Sequence, residues 1–447
     1  MADIDTHPTV IRVRARERAA SAAAAPQAVD AEWLRKLCLA AGADDVGFVE
    51  IDRPEIADQK ADILEAFPRT RTLISFVNRM NPDNIRSPMR SVANIEFHHA
   101  GAEVEEIARR MIRELGRHGV RGVYPSMGFP MEMTRYPGKI WVVSHKLVAE
   151  AAGLGRMGIH RNLIHPRFGN FVNLGTVLAD VEVSRYSEPV EYNPCLECKL
   201  CVAACPVGAI DPDGYFNFAA CYTHNYKEFL GGFTNFVEDI ADSRDAKALR
   251  KRVTDQESVS WWQSLSIGAN YKAAYCLAVC PAGEDVIGPY LRSKKEHLDS
   301  VVKPLTRKVE NVYVVPNSDS EAHVAKRFPH KRIRHTRSPA RPTSIESFLG
   351  GLRLTFNRHQ SEGLDATYHF RFTGDEPREA TVEIRNKELR VRDGLIGRPD
   401  LQVTADSRTW IAFLRKERGI LGALITRKVR LKGSPKLLQG FARCFPA

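Results

Sequence analysis

The sequence has 447 residues, of which 43% are hydrophobic, and carries a formal net charge of +11. This length is sufficient for two to four domains, each with an ordinary hydrophobic core. Since no stretch approaches the roughly 18 consecutive apolar residues of a transmembrane helix, the sequence excludes a membrane span of that kind.

Residues 1 to 30 are predicted to form a disordered leader. They contain spaced arginines at positions 12, 14, 16 and 18, but neither a paired-arginine export signal nor an apolar core. A cytoplasmic location is therefore expected, and thiols stay reduced in that compartment. Under those conditions clustered cysteines bind metal more often than they form disulfides.

The next segment, residues 31 to 188, is predicted to be an α/β domain. Amphipathic helices are expected at 31 to 41 and at 101 to 115, and buried strands at 72 to 77 and at 171 to 183. Interleaved helices and strands of this kind are typical of a mixed layer. Cys38 falls on the apolar face of the first helix, where core packing is expected.

A glycine-rich turn lies in AGLGRMGIHRNLIHPRFGNFVNLGTVL, residues 152 to 178. Gly153, Gly155 and Gly158 meet the spacing G-x-G-x-x-G, but no clear strand precedes them and no clear helix follows. Without that context the motif is weak evidence for a dinucleotide site.

Seven of the nine cysteines lie between residues 195 and 280, and CLECKLCVAACP contains C-x2-C-x2-C-x3-C-P. This is the bacterial ferredoxin signature, in which the fourth cysteine ligates the neighbouring cluster. Zinc prefers paired C-x2-C knuckles, so it is disfavoured here. The crossing rule assigns one [4Fe-4S] cluster to a first cysteine group, which consists of Cys195, Cys198, Cys201 and Cys280.

The same rule leaves Cys205, Cys221 and Cys276 for a second cluster, and we call them the second cysteine group. This group is one ligand short, because the expected eighth cysteine would be at Ala273. The second cluster is therefore either a [4Fe-4S] cluster with a non-thiolate ligand or a [3Fe-4S] cluster. His224, three residues after Cys221, is the candidate ligand; water or another side chain is the alternative.

The order of glycine turn and cysteine motif resembles the cobalamin-dependent epoxyqueuosine reductases and the related reductive dehalogenases, over roughly residues 35 to 290. The resemblance implies a nitroreductase-like α/β domain that holds a base-off corrinoid, followed by a ferredoxin-like domain at 189 to 290. Nitroreductase-like domains also hold flavin, which is the alternative cofactor. The expected cofactor-binding residues are Gly153, Gly155, Gly158, His160, His165 and Gly169, with the histidines as hydrogen-bonding residues rather than cobalt ligands.

The resemblance also points to candidate catalytic residues in RYPGKIWVVSH. Lys139 stands where epoxyqueuosine reductases carry an acidic residue, and reductive dehalogenases pair a tyrosine with a basic residue, for which Tyr136 and Lys139 are at hand. A lysine in a desolvated pocket, or a neutral tyrosine, could protonate a developing carbanion. In the alternative interpretation Lys139 only contacts a corrinoid amide or solvent.

Residues 291 to 345 are predicted to be a basic linker with a small βαβ element. Residues 291 to 342 hold 13 lysines and arginines against 5 acidic residues, a local net charge of +8. Such a run is usually a solvated linker, or it attracts an acidic partner, such as an electron-donating ferredoxin or flavodoxin.

The last segment, residues 346 to 447, changes character. Apolar and polar residues alternate with period two through ATYHFRFTGDEPREATVEIRNKELRVRDG, which predicts antiparallel strands. The residues that follow are predicted to form a strand, two helices, a strand and a helix. With Asp400, Ser407, Trp410 and the turn ALITRKVRLKG, it resembles the sterol carrier protein type 2 fold, an α/β sandwich around an apolar tunnel. The sequence leaves open whether this tunnel is filled by side chains.

Together these patterns predict an α+β protein that is a cobalamin-dependent iron–sulfur reductase of a small, largely apolar substrate. No RNA-binding aromatic and basic motif is present, so nucleic acid is an unlikely partner. Two alternatives remain: an iron–sulfur electron carrier with a lipid-binding domain, and a flavin-dependent reductase.

Overall fold

The computed structural model describes residues 4–20, 28–136, 138–417, 419, 422 and 425–446. No helix within these ranges is both long and apolar enough to cross a bilayer. At the N-terminus a 3₁₀ turn covers Ile4–Thr6 and helix α1 covers Pro8–Ala20. This corrects the prediction of a disordered leader for residues 4 to 20, because alanine and arginine favour helix; residues 1–3 and 21–27 lie outside the description.

A four-stranded antiparallel sheet organises the first half of the chain. The elements there are β1 Ala28–Val29, α2 Ala31–Ala40, β2 Asp45–Glu50, α3 Lys60–Ala66, β3 Thr72–Arg79, α4 Pro82–Arg86, α5 Arg90–Arg117, β4 Gly122–Val123, α6 His145–Ala151, β5 Arg156–Met157, β6 Leu163–Ile164, β7 Val172–Ala179 and β8 Glu182–Val183. The sheet order is β2-β3-β7-β4. Helices α2 and α5 pack on one face and α6 on the other.

Local sequence explains these elements. Helix α2 begins where the Asp30 carboxylate accepts a hydrogen bond from the Trp33 N–H at 2.8 Å, a standard N-cap. Its apolar face buries Leu34 and Cys38 completely, so Cys38 packs in the core as predicted. Strand β3 is buried on both faces, which its nearly continuous apolar run TLISFV requires.

Short helices follow through the cysteine-containing region. They are α7 Leu200–Ala204, α8 Phe218–Asn225, α9 Gly231–Ala241, α10 Ala246–Arg252, α11 Asp255–Ser266, α12 Tyr275–Ala278, α13 Gly288–Arg292, α14 Lys294–His297 and α15 Lys303–Thr306. In the insertion between Cys221 and Cys276, Trp261 is buried and stacks on Phe236 with ring centroids 5.0 Å apart. Trp262 is 61% exposed, so the two tryptophans do not form one apolar wall.

Residues 291 to 345 are packed structure rather than a plain linker. Beyond α13 to α15, strand β9 Asn311–Val314, helix α16 Asp319–Arg327 and strand β10 Arg332–His335 form a unit with parallel strands. Part of the basic charge is internal, since the buried Lys331 ammonium donates to Glu310 at 2.6 Å. The unit shares one hydrophobic core with Cys201 and Cys205.

The C-terminal elements form a second α+β layer. They are α17 Ile345–Thr355, β11 Ala366–Thr373, β12 Arg378–Arg385, β13 Glu388–Asp393, β14 Leu401–Asp406, α18 Ser407–Leu414, β15 Val429–Gly433 and α19 Pro435–Cys444. The strand order is β13-β12-β11-β14-β15, with β11 and β14 parallel. The second helix predicted after α18 falls mostly on residues 418–424, of which the description covers only 419 and 422.

Aromatic rings fill the core between this sheet and its helices. Tyr368, Phe370 and Trp410 are almost completely buried, and the rings of Phe348 and Phe441 lie 5.9 and 5.4 Å from that of Phe370. Contacts between large rings therefore contribute much of the packing in this core. A lipid site in the sandwich stays a prediction.

The C-terminal layer is fastened to the loop between Cys205 and Cys221. The Tyr215 hydroxyl donates to the Phe356 carbonyl at 2.9 Å, and the Arg358 guanidinium lies over the Tyr215 ring. Arg358 also forms ion pairs with Asp213 at 2.5 Å and with Asp211 at 3.7 Å.

Candidate metal centre

The four thiols of the first cysteine group line one small cavity. Its wall also contains Ile159, His160, Pro281 and Ala282. The loop between the first cysteines curls tightly, because Glu197 and Lys199 both adopt positive φ, at 49° and 59°. That curl lets cysteines at two-residue intervals face a common centre before α7 begins.

Burial, together with the charges of neighbouring cysteines, raises the pKa of Cys280 to about 12, although a hydrogen bond from the Ala282 backbone opposes the shift. Burial likewise raises the pKa of Cys201, followed by the effect of Cys276, Cys280 and other thiols. Crowded, desolvated thiols hold protons strongly when no cation offsets their charge. Iron would supply that charge, so the donor set fits a metal centre.

The second cysteine group gathers around α8 and α12. Burial raises the pKa of Cys221, and Cys276 and Cys205 are the next contributors, which shows that the three thiols are neighbours. The Cys205 sulfur accepts a hydrogen bond from the Ala209 N–H at 3.2 Å. Ala273 is buried, and its N–H donates to the Asn225 side chain at 2.9 Å.

Neither group is compact enough for a single ion. Among the residues that the structure describes, no three histidine, cysteine or acidic side chains are close enough to bind one metal ion together. A cluster of iron and sulfide is larger and needs thiolates spread around it. The C-x2-C-x2-C-x3-C-P spacing remains the reason to expect iron–sulfur clusters rather than zinc.

His224 is fully buried beneath β9, with a hydrogen-bond pattern unlike that of a metal ligand. Its Nδ1 accepts the Tyr313 N–H at 3.2 Å, and its Nε2 has no partner among the described residues. Because Nδ1 accepts, the neutral ring carries its proton on Nε2. A ligating histidine usually donates through its second nitrogen, so this geometry disfavours the predicted role of His224.

The predicted acid residues lie on one loop but in different surroundings. Lys139 forms an ion pair with Asp62 at 2.5 Å and its side chain is 29% exposed, which argues against the desolvated pocket of the first interpretation. The Tyr136 hydroxyl donates to the Pro339 carbonyl at 3.3 Å, and burial raises the pKa of Tyr136. Of the two, only Tyr136 remains in a setting that suits a neutral acid.

The glycines of the predicted cofactor turn pack against the protein backbone. A Cβ at Gly153 would lie 2.3 Å from the Glu188 carbonyl oxygen, and one at Gly155 would lie 2.3 Å from that of Ile164. At Gly158 it would lie 2.7 Å from the Ile164 side chain. Close packing thus explains these glycines, and their contact with a cofactor stays a prediction.

Gly169 forms a joint with the segment that follows Cys280. A Cβ at Gly169 would lie 2.0 Å from the Ala282 carbonyl oxygen, and one at Gly283 would lie 2.3 Å from the Gly169 nitrogen. Both residues also have positive φ, at 65° and 111°, where other residues are strained. The joint fixes the position of Cys280 relative to the sheet.

His160 and His165 form hydrogen bonds within the protein, and their contact with a cofactor stays a prediction. His165 Nε2 lies 3.1 Å from the Asp45 carboxylate, and its Nδ1 accepts the Arg167 N–H. His160 lies beside the first cysteine group and its Nδ1 accepts the Asn162 N–H at 3.1 Å. Burial, followed by the charge of Lys146, lowers the pKa of His160 to about 4.

Sequence reasoning missed two residues beside the second cysteine group. The Lys146 side chain is accessible to solvent, and its ammonium donates to the Arg161 carbonyl at 2.8 Å and to Asn162 Oδ1 at 3.0 Å; burial of the ammonium lowers its pKa. Asn162 lies next to it, and its amide nitrogen is 3.8 Å from the Cys276 sulfur. No local sequence pattern marks either residue, since Asn162 approaches Cys276 only in the folded chain.

Comparison with known proteins finds relatives of two kinds. An epoxyqueuosine reductase from Francisella cf. novicida is 23% identical over 191 residues, which cover 40% of this chain and 51% of that protein. The chain is similar to the epoxyqueuosine reductases. It spans about half the length of that relative. Residues 355–446 match a different family, the SCP-2 sterol transfer family.

One solved structure with similarity to this chain is an epoxyqueuosine reductase from Streptococcus thermophilus. The two chains are 14% identical, and the match covers 61% of this chain and 74% of that chain with a TM-score of 0.34. Another is a reductive dehalogenase, described in connection with B12-dependent dehalogenation. It is 16% identical, and the match covers 67% of this chain and 37% of that chain with a TM-score of 0.38.

Proposed function

We propose that this protein is an iron–sulfur oxidoreductase with two clusters. In this proposal the first cysteine group holds a [4Fe-4S] cluster in a ferredoxin-like domain, and the second holds a [3Fe-4S] or an incompletely ligated [4Fe-4S] cluster. The observation that carries the proposal is the convergence of Cys195, Cys198, Cys201 and Cys280 on one cavity. The similarity to the epoxyqueuosine reductases supports the reductive direction.

Cobalamin, held by a nitroreductase-like domain, is the proposed second cofactor. Its support is the sequence resemblance, together with the partial accessibility of Cys221 and Cys276. A corrinoid bound in this region would supply a strongly reducing cobalt for the cleavage or reduction of a bond in the substrate. Flavin in the same domain is the alternative.

The protein's own contribution is to exclude water and hold a proton. Tyr136, Tyr222 and Phe229 belong to a group of aromatic residues in which burial raises the pKa of both tyrosines. Neutral phenols in a desolvated site can donate protons without adding charge. A small, largely apolar substrate suits this group of aromatic residues better than a nucleic acid does.

The partner that supplies electrons is proposed to be an acidic ferredoxin or flavodoxin. The pKa of Tyr290 is raised by burial and then by Cys198, so α13 lies near the first cysteine group. Leu291 beside it is 67% exposed, and Lys294 lies over the Tyr290 ring. An exposed apolar residue among cations is a suitable contact for an acidic redox protein.

Anaerobic reconstitution tests the whole proposal. We expect iron and sulfide for two clusters per chain in the parent protein, and loss of one cluster in each of Cys280→Ser and Cys276→Ser. Cys38→Ala, which removes a buried thiol outside both groups, is the matched control and should keep all the iron. Equal iron content in all four proteins would refute the assignment.

Titration of the reconstituted protein with cobalamin and, separately, with flavin distinguishes the remaining alternatives. A visible spectrum of bound, base-off cobalamin supports the corrinoid enzyme, whereas bound flavin supports the flavin-dependent reductase. Iron–sulfur absorption that neither cofactor changes supports an electron carrier with a lipid-binding C-terminal domain.

A further inference from the structure

A lysine is connected to a thiol of the second cysteine group by way of an asparagine side chain. Among the described residues, the first cysteine group has no such connection. The Lys146 ammonium donates to the Arg161 carbonyl at 2.8 Å and to Asn162 Oδ1 at 3.0 Å. Asn162 Nδ2 in turn donates to the Cys276 sulfur at 3.8 Å. Three residues far apart in sequence therefore form one connected chain from a cation to a cysteine.

The orientation of the Asn162 amide follows from its partners. A lysine ammonium only donates hydrogen bonds, so the atom that faces Lys146 must be the amide oxygen. The amide NH₂ is then directed at Cys276. The backbone of Asn162 is also held, since its N–H donates to His160 and its carbonyl accepts the Gly158 N–H at 3.0 Å.

Both parts of this arrangement stabilise negative charge at Cys276. Hydrogen bonds to cluster sulfurs and the local net charge are among the factors that set the potential of an iron–sulfur cluster. Reduction adds an electron, so a nearby cation and an N–H donor favour the reduced form.

We propose that Lys146 and Asn162 are positioning residues that raise the reduction potential of the second cluster. The inference rests on the proposed function, because it requires that the second cysteine group holds a cluster. A raised potential makes electron transfer from the first cluster to the second favourable. The pair would thus set the direction of electron flow within the protein.

The test is a redox titration of each cluster, followed by electron paramagnetic resonance, in four reconstituted full-length proteins. Relative to the parent, Lys146→Met and Asn162→Leu should each shift the reduction equilibrium of the second cluster about tenfold toward the oxidised form, or about 59 mV for one electron. Lys146→Arg keeps the positive charge and should therefore shift the reduction equilibrium of the second cluster far less. The first cluster is the internal control and should keep its potential.

A double variant tests whether the lysine acts through the asparagine. If it does, adding Lys146→Met to Asn162→Leu should lower the potential by less than the sum of the two single effects. Should Lys146→Met fail to keep its iron, Lys146→Gln replaces it, because its amide can still donate to Asn162 without the charge.

The outcomes separate this inference from the proposed function. A parent protein that takes up no second cluster would refute the proposed function. Two clusters with unchanged potentials in the lysine and asparagine variants, or equal shifts in both clusters, would overturn the inference alone.

Discussion

At the scale of single residues, Ala273 is the position that most limits the second cysteine group. It is buried, three residues before Cys276, and its N–H is already held by Asn225. Its methyl group offers no ligand, and the hydrogen bonding of His224 disfavours that residue as a substitute. A cluster with an open corner is the expected consequence.

Ala273→Cys is therefore expected to complete the second cluster. The oxidised parent protein should give the electron paramagnetic resonance signal of a three-iron cluster, and the variant should lose that signal and gain about one iron per chain. Ala274→Cys, at the adjacent position, is the control and should leave the signal unchanged. Persistence of the signal in Ala273→Cys would show that another group occupies the site.

The cysteines were predictable because their chemistry depends on local spacing. Two-residue gaps let Cys195, Cys198 and Cys201 face one point in a curled loop, whatever surrounds them. Lys146 and Asn162 were not predictable, because their approach to Cys276 depends on how three distant segments pack. Lys139 illustrates the same limit: its ion pair with Asp62 depends on a contact between separate elements.

At the scale of elements, strand β2 and helix α2 are tied to the glycine-turn segment through one carboxylate. Asp45 receives hydrogen bonds from Arg35 at 2.6 Å and lies 3.1 Å from His165 Nε2. Burial alone would raise the pKa of Asp45, but the hydrogen bonds from His165, Arg35 and Val46 outweigh it and lower the pKa to about 2.

Stability should therefore depend on Asp45 in acid. Because the folded pKa lies below the ordinary value of about 3.9, the carboxylate stabilises the fold above about pH 4, and this contribution is lost as the pH falls toward 2. In thermal unfolding of the metal-free protein, Asp45→Asn should weaken the decline of Tm between pH 4 and pH 2. Asp52→Asn, which changes an exposed carboxylate, should leave this decline of Tm as it is in the parent protein. An identical decline in both variants would contradict the proposed contribution of Asp45 to stability.

Helices α13 and α14 carry the prediction about the electron donor. Lys294→Glu combined with Lys295→Glu should slow reduction of the clusters by an acidic ferredoxin by about tenfold at low ionic strength, because steering depends on local charge. The control pair is Lys36→Glu with Arg113→Glu, which makes the same change of charge in a groove between α2 and α5. Stopped-flow mixing measures the rates, and equal slowing in both pairs would argue against a local docking surface.

At the scale of the whole molecule, polar contacts join the C-terminal layer to the cysteine region. The contact of Tyr215 with Phe356 and the ion pairs of Arg358 with Asp213 and Asp211 lie at this junction. The sequence predicted both layers from their patterns, since alternation and helical periodicity are local. It did not predict the junction, because its residues carry no shared motif.

Arg358→Glu should loosen the junction without unfolding either layer. Like charges would then face each other at Asp211 and Asp213, so cleavage by a nonspecific protease between residues 336 and 344 should be about fivefold faster. Arg385→Glu is the control, because its partner Asp365 lies within the same C-terminal layer at 3.1 Å. Equal cleavage rates in both variants would show that Arg358 does not hold the layers together.

The glycine joint between Gly169 and Gly283 has a consequence for recombination among homologues. Here main chain touches main chain, so neither partner tolerates a larger residue unless the other segment moves. A chimera that took its cysteine-rich cassette from one protein and its sheet from another would misalign Cys280, unless both glycines and their neighbours were inherited together. The two parts are thus expected to exchange as a single unit, although each has a recognisable sequence pattern of its own.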